Sequence, residues 1–167
     1  MLKTIRSKRF QAGNVRFAIV ASEYNGEFVD SMLRGAKAEL KRAGAKRVEV
    51  VRVPGAYEIP LVASRMARLA AGQPSQNGAK RAPLAAIICL GVILRGETVH
   101  AAHIGEAASR SLMEIQLRYE VPVIHEVLLL ENKEQARARC LDPERNRGRE
   151  AAQTALAMAQ VMAAMCV

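Results

Sequence analysis

The sequence predicts an α/β fold in which a parallel β-sheet is covered by helices on both faces. Short apolar runs rich in β-branched residues alternate along the chain with segments whose apolar residues recur every three or four positions. The run at residues 84–94 is almost wholly apolar, as expected of a strand buried on both faces. It ends abruptly in the polar stretch 95–100, and open α/β sheets bind their ligands beyond the carboxyl ends of their strands.

The first half of the chain contains two strand–helix units. Residues 15–21 form a short β-rich run, and a polar turn at residues 22–26 precedes the first helical pattern. Residues 47–53 alternate charge with valine and end at a Pro-Gly turn signal, before the second helical pattern. The two helices are expected to present these core faces: Phe28, Met32, Leu33, Ala36 and Leu40 in the first, and Ile59, Leu61, Val62, Met66 and Leu69 in the second.

The second half repeats this rhythm. The third strand, at residues 84–94, is followed by a predicted helix over residues 101–119 and a fourth strand over residues 121–130. A short helix over residues 132–139, capped by Asn132, and a long alanine-rich helix over residues 148–165 complete the chain. The helix at 101–119 is expected to present Ile104, Ala108, Leu112, Ile115 and Leu117 to the core.

The chain of 167 residues, half of them apolar, is long enough to bury one core. We therefore expect a single domain over residues 15–167, preceded by a basic arm at residues 1–14. The arm carries Ile5 and Phe10 among its charges and is expected to dock on a neighbouring subunit. Residues 72–83, rich in glycine, proline and small polar side chains, are predicted to form an exposed loop.

Composition argues against several other classes of protein. The net charge of +9 suits a nucleic-acid partner, but the charge is spread along the chain, only 4% of residues are aromatic and Trp is absent, so nucleic acid is not expected. Cys89, Cys140 and Cys166 have neither CxxC nor zinc spacing, which predicts reduced thiols and no disulfide. No signal peptide or membrane span is predicted, so we expect a cytoplasmic protein without a membrane partner.

Polar residues collect at or near the ends of all four predicted strands. They are residues 23–25, the PGAYEIP segment at 54–60, residues 95–100, and His125 with Glu126. Taken singly, each favours an ordinary structural interpretation, such as a half-buried tyrosine, a tight turn or a surface histidine. Their convergence on one edge of a parallel sheet predicts a ligand site there.

The segments YN, PGAYEIP, GVILRGETVH, EQARARC and NRG follow one another along the chain. Together they resemble the lumazine synthase family over about residues 15–160. The resemblance implies a flavodoxin-like three-layer α/β/α sandwich on four parallel strands, assembled into homopentamers with active sites between neighbouring subunits. It also implies condensation of 5-amino-6-(D-ribitylamino)uracil with 3,4-dihydroxy-2-butanone 4-phosphate, which gives 6,7-dimethyl-8-ribityllumazine, phosphate and water without a cofactor.

The same resemblance assigns roles to particular residues. His100 matches the proton-transfer histidine, Arg139 the phosphate-binding arginine, and Arg147 with Glu150 a cation and an acid close to that histidine. An imidazole suits this work because it gives and takes protons near neutral pH. The remaining substrate-binding positions are Tyr24 and Asn25 beside the pyrimidine, Ala56, Tyr57 and Glu58 along the ribityl chain, Val92, Ile93 and Leu94 on the pyrimidine, Glu97 and Thr98 at the butanone phosphate, and His125 beside the ring.

This chain departs from the family pattern in the fourth strand and after the histidine. In a PVIFG-like stretch, where the family commonly has an aromatic residue beside the pyrimidine, this chain has His125 followed by Glu126. Ala101 and Ala102 follow His100 where the family often has an aromatic residue and an aspartate, which makes the predicted pocket wall smaller.

Three further points concern a metal site, the size of the assembly and the alternative to an enzyme. His100 and His103 form an HxxH pair without a third ligand, so no metal site is expected. The assembly is either a pentamer or a sixty-subunit shell of pentamers. A non-catalytic protein of the same architecture, which binds a flavin or a phosphate ligand or only forms a shell, is the alternative to an enzyme.

Overall fold

The computed structural model describes residue 12, residues 14–72 and residues 82–165. Its four strands are all parallel and lie in the order β2-β1-β3-β4, which matches the first four strands of a flavodoxin-like sheet. They are β1 (Arg16–Ser22), β2 (Arg47–Val53), β3 (Leu84–Leu94) and β4 (Val123–Leu130). The predicted parallel sheet is confirmed.

Helices cover both faces of this sheet. They are α1 (Gly26–Arg42), α2 (Ile59–Ala71), α3 (His100–Tyr119), α4 (Lys133–Ala136) and α5 (Arg147–Met165). One core cluster joins the sheet to α1 and α5, and a second joins it to α2 and α3. The predicted three-layer sandwich is therefore confirmed.

The boundaries predicted for β2 and β3 agree with the structure. The predicted cap is also present, because Asn132 Oδ1 accepts a hydrogen bond from the backbone N–H of Gln135 at 2.9 Å. The short helix predicted over residues 132–139 is divided into α4 and a π-helical turn, Arg137–Leu141. Two predicted core residues are wrong, because Leu61 is 76% exposed and Leu117 is 71% exposed. Both lie on helix surfaces that no other described residue covers.

Most of the predicted basic arm, residues 73–81 of the predicted loop, and Cys166 lie outside the described residues. Ala12, placed in the arm by the sequence, is buried and donates its N–H to the Ala43 carbonyl. Ala82, placed in the exposed loop, is also buried, and its carbonyl accepts a hydrogen bond from Arg16 Nε at 3.0 Å. The compact domain therefore includes residues on both predicted borders.

Helices α1 and α5 approach each other closely at Gly148. A β-carbon at this position would lie 1.9 Å from the Met32 carbonyl oxygen, so only glycine fits. The contact fixes the first turn of α5, which carries Arg147 and Glu150, against α1. No helix in the described ranges has an apolar stretch long enough to cross a membrane.

Candidate active site

A cavity of about 1060 Å³ opens at the carboxyl edge of the sheet. Its walls come from the loops that follow β1, β2 and β3 and from the first three turns of α3. Of the residues predicted from the sequence, the following line it: Tyr24, Ala56, Tyr57, Glu58, Val92, Ile93, Leu94, Thr98 and His100. Three separate segments of the chain thus meet at one concave site of the kind that binds small molecules.

The loop after β1 brings an aromatic ring to the rim of this cavity. Asn25 has a left-handed backbone (φ 56°), which asparagine tolerates better than most residues. Its side-chain Nδ2 donates a hydrogen bond to the Val92 carbonyl at 2.8 Å, which ties this loop to β3. Beside it, the Tyr24 backbone N–H bonds to the Pro54 carbonyl, and the Tyr24 side chain is 72% exposed. The ring is therefore held at its backbone and open at its face.

The loop after β2 forms a single 3-10 turn, Ala56–Glu58. Ala56 is buried, whereas the side chains of Tyr57 and Glu58 are exposed at the cavity. The turn leads directly into α2, which Pro60 helps to start because its missing N–H has no partner to lose in the first helical turn. The segment thus presents backbone amides, a phenol and a carboxylate side by side.

His100 is the first residue of α3 and lines the cavity. Its side chain is exposed, and within the described ranges no hydrogen bond or ion pair engages the ring. The first N–H groups of a helix lack intrahelical partners, and the helix dipole favours negative charge there. The site therefore combines an available imidazole with a helix terminus suited to an anion.

A second group of charged residues lies on β4 and α5. Arg147 donates from Nε to Glu126 Oε2 at 3.0 Å and from Nη2 to Glu126 Oε1 at 2.8 Å, a bidentate pair. A third nitrogen, Nη1, donates to Glu150 Oε2 at 2.5 Å. The Glu126 side chain is 7% exposed, and its burial raises the pKa of the carboxyl while the hydrogen bonds from Arg147 oppose that rise.

Arg139 projects from the π-helical turn beside this group. The turn is anchored at the Cys140 carbonyl, which accepts hydrogen bonds from Ser31 Oγ at 2.8 Å and from Asn146 Nδ2 at 2.5 Å. Asn146 is buried, and its Oδ1 also accepts the Arg149 backbone N–H, so it caps α5. The guanidinium of Arg139 is exposed and makes no ion pair with any described residue.

His125 does not lie at the carboxyl edge, and the expectation that placed it there with Glu126 is wrong. It pairs with Cys89 in the middle of β3, and β4 continues to Leu130. Its Nε2 lies 2.8 Å from Ser109 Oγ, and that hydroxyl in turn donates to the Gly105 carbonyl. Because the hydroxyl has one hydrogen and gives it to the Gly105 carbonyl, Nε2 of His125 donates to Ser109 Oγ in this pair.

The structure thus divides the predicted site residues into two groups. The cavity holds those named above, and Asn25 and Glu97 flank them in the chain. The cavity does not include His125, Arg139, Arg147 or Glu150, and no described hydrogen bond or ion pair joins any of them to His100. Within a single chain, the proton-transfer candidate and the phosphate-binding candidate are separate.

Sequence reasoning missed part of the cavity wall. His103, Glu106 and Arg110 of α3 line it, and Arg110 donates to Glu106 at 2.7 Å. Successive steps of three, three and four residues lead from His100 to His103, Glu106 and Arg110, which places all four on one side of the helix. The sequence alone could have indicated this.

Among the described residues, no group of three or more His, Cys, Asp or Glu side chains could hold a metal ion. The absence of a metal site stays a prediction. Cys89 and Cys140 are buried free thiols, and burial raises the pKa of Cys140 to about 11.

Comparison with known proteins gives consistent matches over most of the chain. The family model for 6,7-dimethyl-8-ribityllumazine synthase matches residues 14–163. A 6,7-dimethyl-8-ribityllumazine synthase of Xanthomonas euvesicatoria pv. vesicatoria is 39% identical over 149 residues, which cover 88% of this chain and 89% of the relative. The enzyme of the same name from Stenotrophomonas maltophilia is 39% identical over 151 residues, which cover 89% and 90% of the two chains.

Proposed function

The chain belongs to the 6,7-dimethyl-8-ribityllumazine synthase family, and we infer that it is a transferase of riboflavin biosynthesis. It condenses 5-amino-6-(D-ribitylamino)uracil with 3,4-dihydroxy-2-butanone 4-phosphate and releases phosphate and water. The observation that carries this function is the cavity at the carboxyl edge, which brings together an open aromatic face, a polar turn and an imidazole without a described partner.

The pyrimidine is proposed to bind between the loops that follow β1 and β3. The exposed ring of Tyr24 offers a stacking face, and the backbone of Val92, Ile93 and Leu94 offers hydrogen-bonding groups at the end of a rigid strand. The Val92 carbonyl already accepts from Asn25, so we assign Asn25 to holding this wall in place as well as to the substrate. Ala56, Tyr57 and Glu58 would meet the ribityl hydroxyls.

The butanone phosphate is proposed to bind at the start of α3, where Glu97 and Thr98 precede His100. The reaction joins an amine to a ketone with loss of one water, eliminates phosphate, and closes a ring by a second amine–carbonyl condensation with loss of another water. Each step moves a proton, and an imidazole with no competing partner can deliver and remove it. Holding the two substrates in register supplies the remaining acceleration, so no cofactor is proposed.

We propose that a neighbouring subunit completes each site. Arg139, Arg147, Glu150 and His125 lie outside the cavity of their own chain, although the reaction needs a cation for the phosphate. Exposed apolar side chains on α2 and α3 offer surface for such an assembly: Leu61, Met113 and Leu117. We propose a homopentamer, alone or as the unit of a sixty-subunit shell.

The purified chain is expected to form 6,7-dimethyl-8-ribityllumazine from the two named substrates, as followed by the absorbance of the product. The matched control omits the enzyme, because the amine and ketone also react slowly without it. If the rate with enzyme equals the uncatalysed rate, the protein is a binding or shell-forming member of the family rather than an enzyme.

The assembly is expected to have at least five times the mass of one chain, because the family resemblance implies a homopentamer. A site divided between subunits requires at least two chains. Light scattering at micromolar concentration measures this mass. A single-chain mass in an active preparation would contradict the shared site, since one chain would then have to bring Arg139 to His100.

A further inference from the structure

A buried carboxylate stands in the middle of β4. The residues of β4 other than His125 and Glu126 are apolar. The side chains that share the face of Glu126, those of Ile124 and Leu128, pack in the core beneath α1 and α5. An unpaired carboxylate in such a place would be strongly unfavourable, and both oxygens of Glu126 are taken by Arg147. Arg147, which lies 21 positions further along the chain, supplies the opposite charge that this buried carboxylate requires.

This pairing leaves two arginines in contrasting states. Three nitrogens of Arg147 each donate to a carboxylate, and its side chain is 27% exposed. Arg139 is exposed and makes no ion pair with any described residue. Arg139 and Arg147 are the chain neighbours of Cys140 and Asn146, which a hydrogen bond of 2.5 Å joins. The two arginines therefore lie in one region of the surface, and the charge of each opposes the rise in the pKa of Glu126 that burial causes.

We propose that Glu126 is a specificity-determining counter-ion that withholds Arg147 from the phosphate of the butanone substrate. This inference rests on the proposed function and on the family resemblance, which assigns Arg139 to that phosphate. Glu126 acts through Arg147 and is therefore a positioning residue rather than a catalytic one. With one cation neutralised, the phosphate meets a single free guanidinium.

The physical consequence concerns the anion that the reaction releases. A phosphate dianion held by two free arginines binds more tightly than one held by a single arginine. Tight binding would favour the phosphate substrate and would equally retain inorganic phosphate after elimination. The bidentate pair between Arg147 and Glu126 weakens the binding of the phosphate substrate and of inorganic phosphate alike. The site can therefore release inorganic phosphate after each turnover.

The test measures the affinity of the assembled protein for inorganic phosphate by titration calorimetry. Glu126→Gln keeps the shape of the side chain, removes its charge and ends the bidentate ion pair, so that Glu150 is the one described carboxylate still paired with Arg147. Phosphate is expected to bind about three- to tenfold more tightly, the size of a partly screened charge contact. In the same variant the KM for the butanone phosphate should fall, whereas the KM for the pyrimidine should stay unchanged.

A double variant shows which group is responsible. In Glu126→Gln with Arg147→Ala, the gain in phosphate affinity is expected to disappear, because the freed cation is absent. A merely structural Glu126 would lower the melting temperature without tightening phosphate in any variant. Unchanged or weaker phosphate binding in a folded, assembled Glu126→Gln protein would overturn the proposal, as would a gain that survives in the double variant.

If Glu126→Gln does not assemble, Glu150→Gln decides the question, because its side chain is 46% exposed and its loss frees one nitrogen of Arg147. The affinity for phosphate is expected to rise by a smaller factor than in Glu126→Gln. An unchanged affinity would contradict the proposal. Calorimetry does not depend on turnover. Failure of the proposed function would instead appear as absence of lumazine formation by the unmodified protein.

Discussion

Replacing His100 by alanine is expected to slow lumazine formation by roughly ten- to a thousandfold and to leave pyrimidine binding nearly intact. The imidazole lines the cavity at the start of α3 and has no partner among the described residues, so its loss removes proton transfer without opening a core. Proximity of the two substrates would sustain the remaining rate. The measurement is kcat on a preparation whose melting temperature and assembly are determined in parallel.

The comparison variant is His103→Ala, which removes the same ring one turn further along α3. Its effect on kcat should be much smaller, because the resemblance places proton transfer at His100 alone. An unaltered rate in folded, assembled His100→Ala protein would remove this histidine from the mechanism. A structural histidine would show the reverse pattern, with lower thermal stability and normal turnover.

Arg139→Ala is expected to raise the KM for the butanone phosphate by about ten- to a hundredfold, the range expected when a charged hydrogen-bond partner is lost. The KM for the pyrimidine should change little. Arg139 is exposed on the π-helical turn, and stability should be retained because the turn is held by Ser31 and Asn146 at the Cys140 carbonyl. Steady-state kinetics with each substrate varied in turn gives both constants.

Arg137→Ala provides the matched control from the same turn. Arg137 lies 3.8 Å from Glu134 in an exposed pair, and its loss should leave both KM values close to those of the unmodified protein. If Arg139→Ala leaves the KM for the phosphate substrate unchanged, the assignment of Arg139 fails.

Mixing the two impaired variants, His100→Ala and Arg139→Ala, tests whether the site is shared. When His100→Ala and Arg139→Ala chains are co-assembled at random, about one interface in four combines an intact His100 with an intact Arg139 from its neighbour. Activity should return to that fraction. Without any recovery in mixed assemblies, both residues would have to act within one chain.

The sequence predicted the layers of this fold because its signals are local. The periodicity of apolar residues separates strands from helices within a window of a dozen positions, and turn residues mark where each run ends. The predicted boundaries of β2 and β3 therefore agree with the structure. The cavity was predicted for the same reason, since polar residues that directly follow a parallel strand must meet at one edge of the sheet.

The sequence did not predict where a side chain lies or whether it is covered when this depends on its partner in another element. Alternation along β4 puts His125 and Glu126 on opposite faces, but no local pattern says that one face meets Ser109 on α3 and the other Arg147 on α5. Leu61 and Leu117 fit an apolar helical face equally well whether that face is covered or open. These outcomes follow from how the helices pack across the sheet.

By itself, the sequence determined the alternation of strands and helices, because the periodicity of apolar residues differs between the two. It also determined the family and the reaction, because short motifs identify them. Only the tertiary structure decided that His100 and Arg139 stand apart in one chain, and that Glu126 engages Arg147. The physical reason is that a buried charge must be matched by a side chain brought near it by the crossover and packing of whole elements. Such a pair joins residues that are distant along the chain.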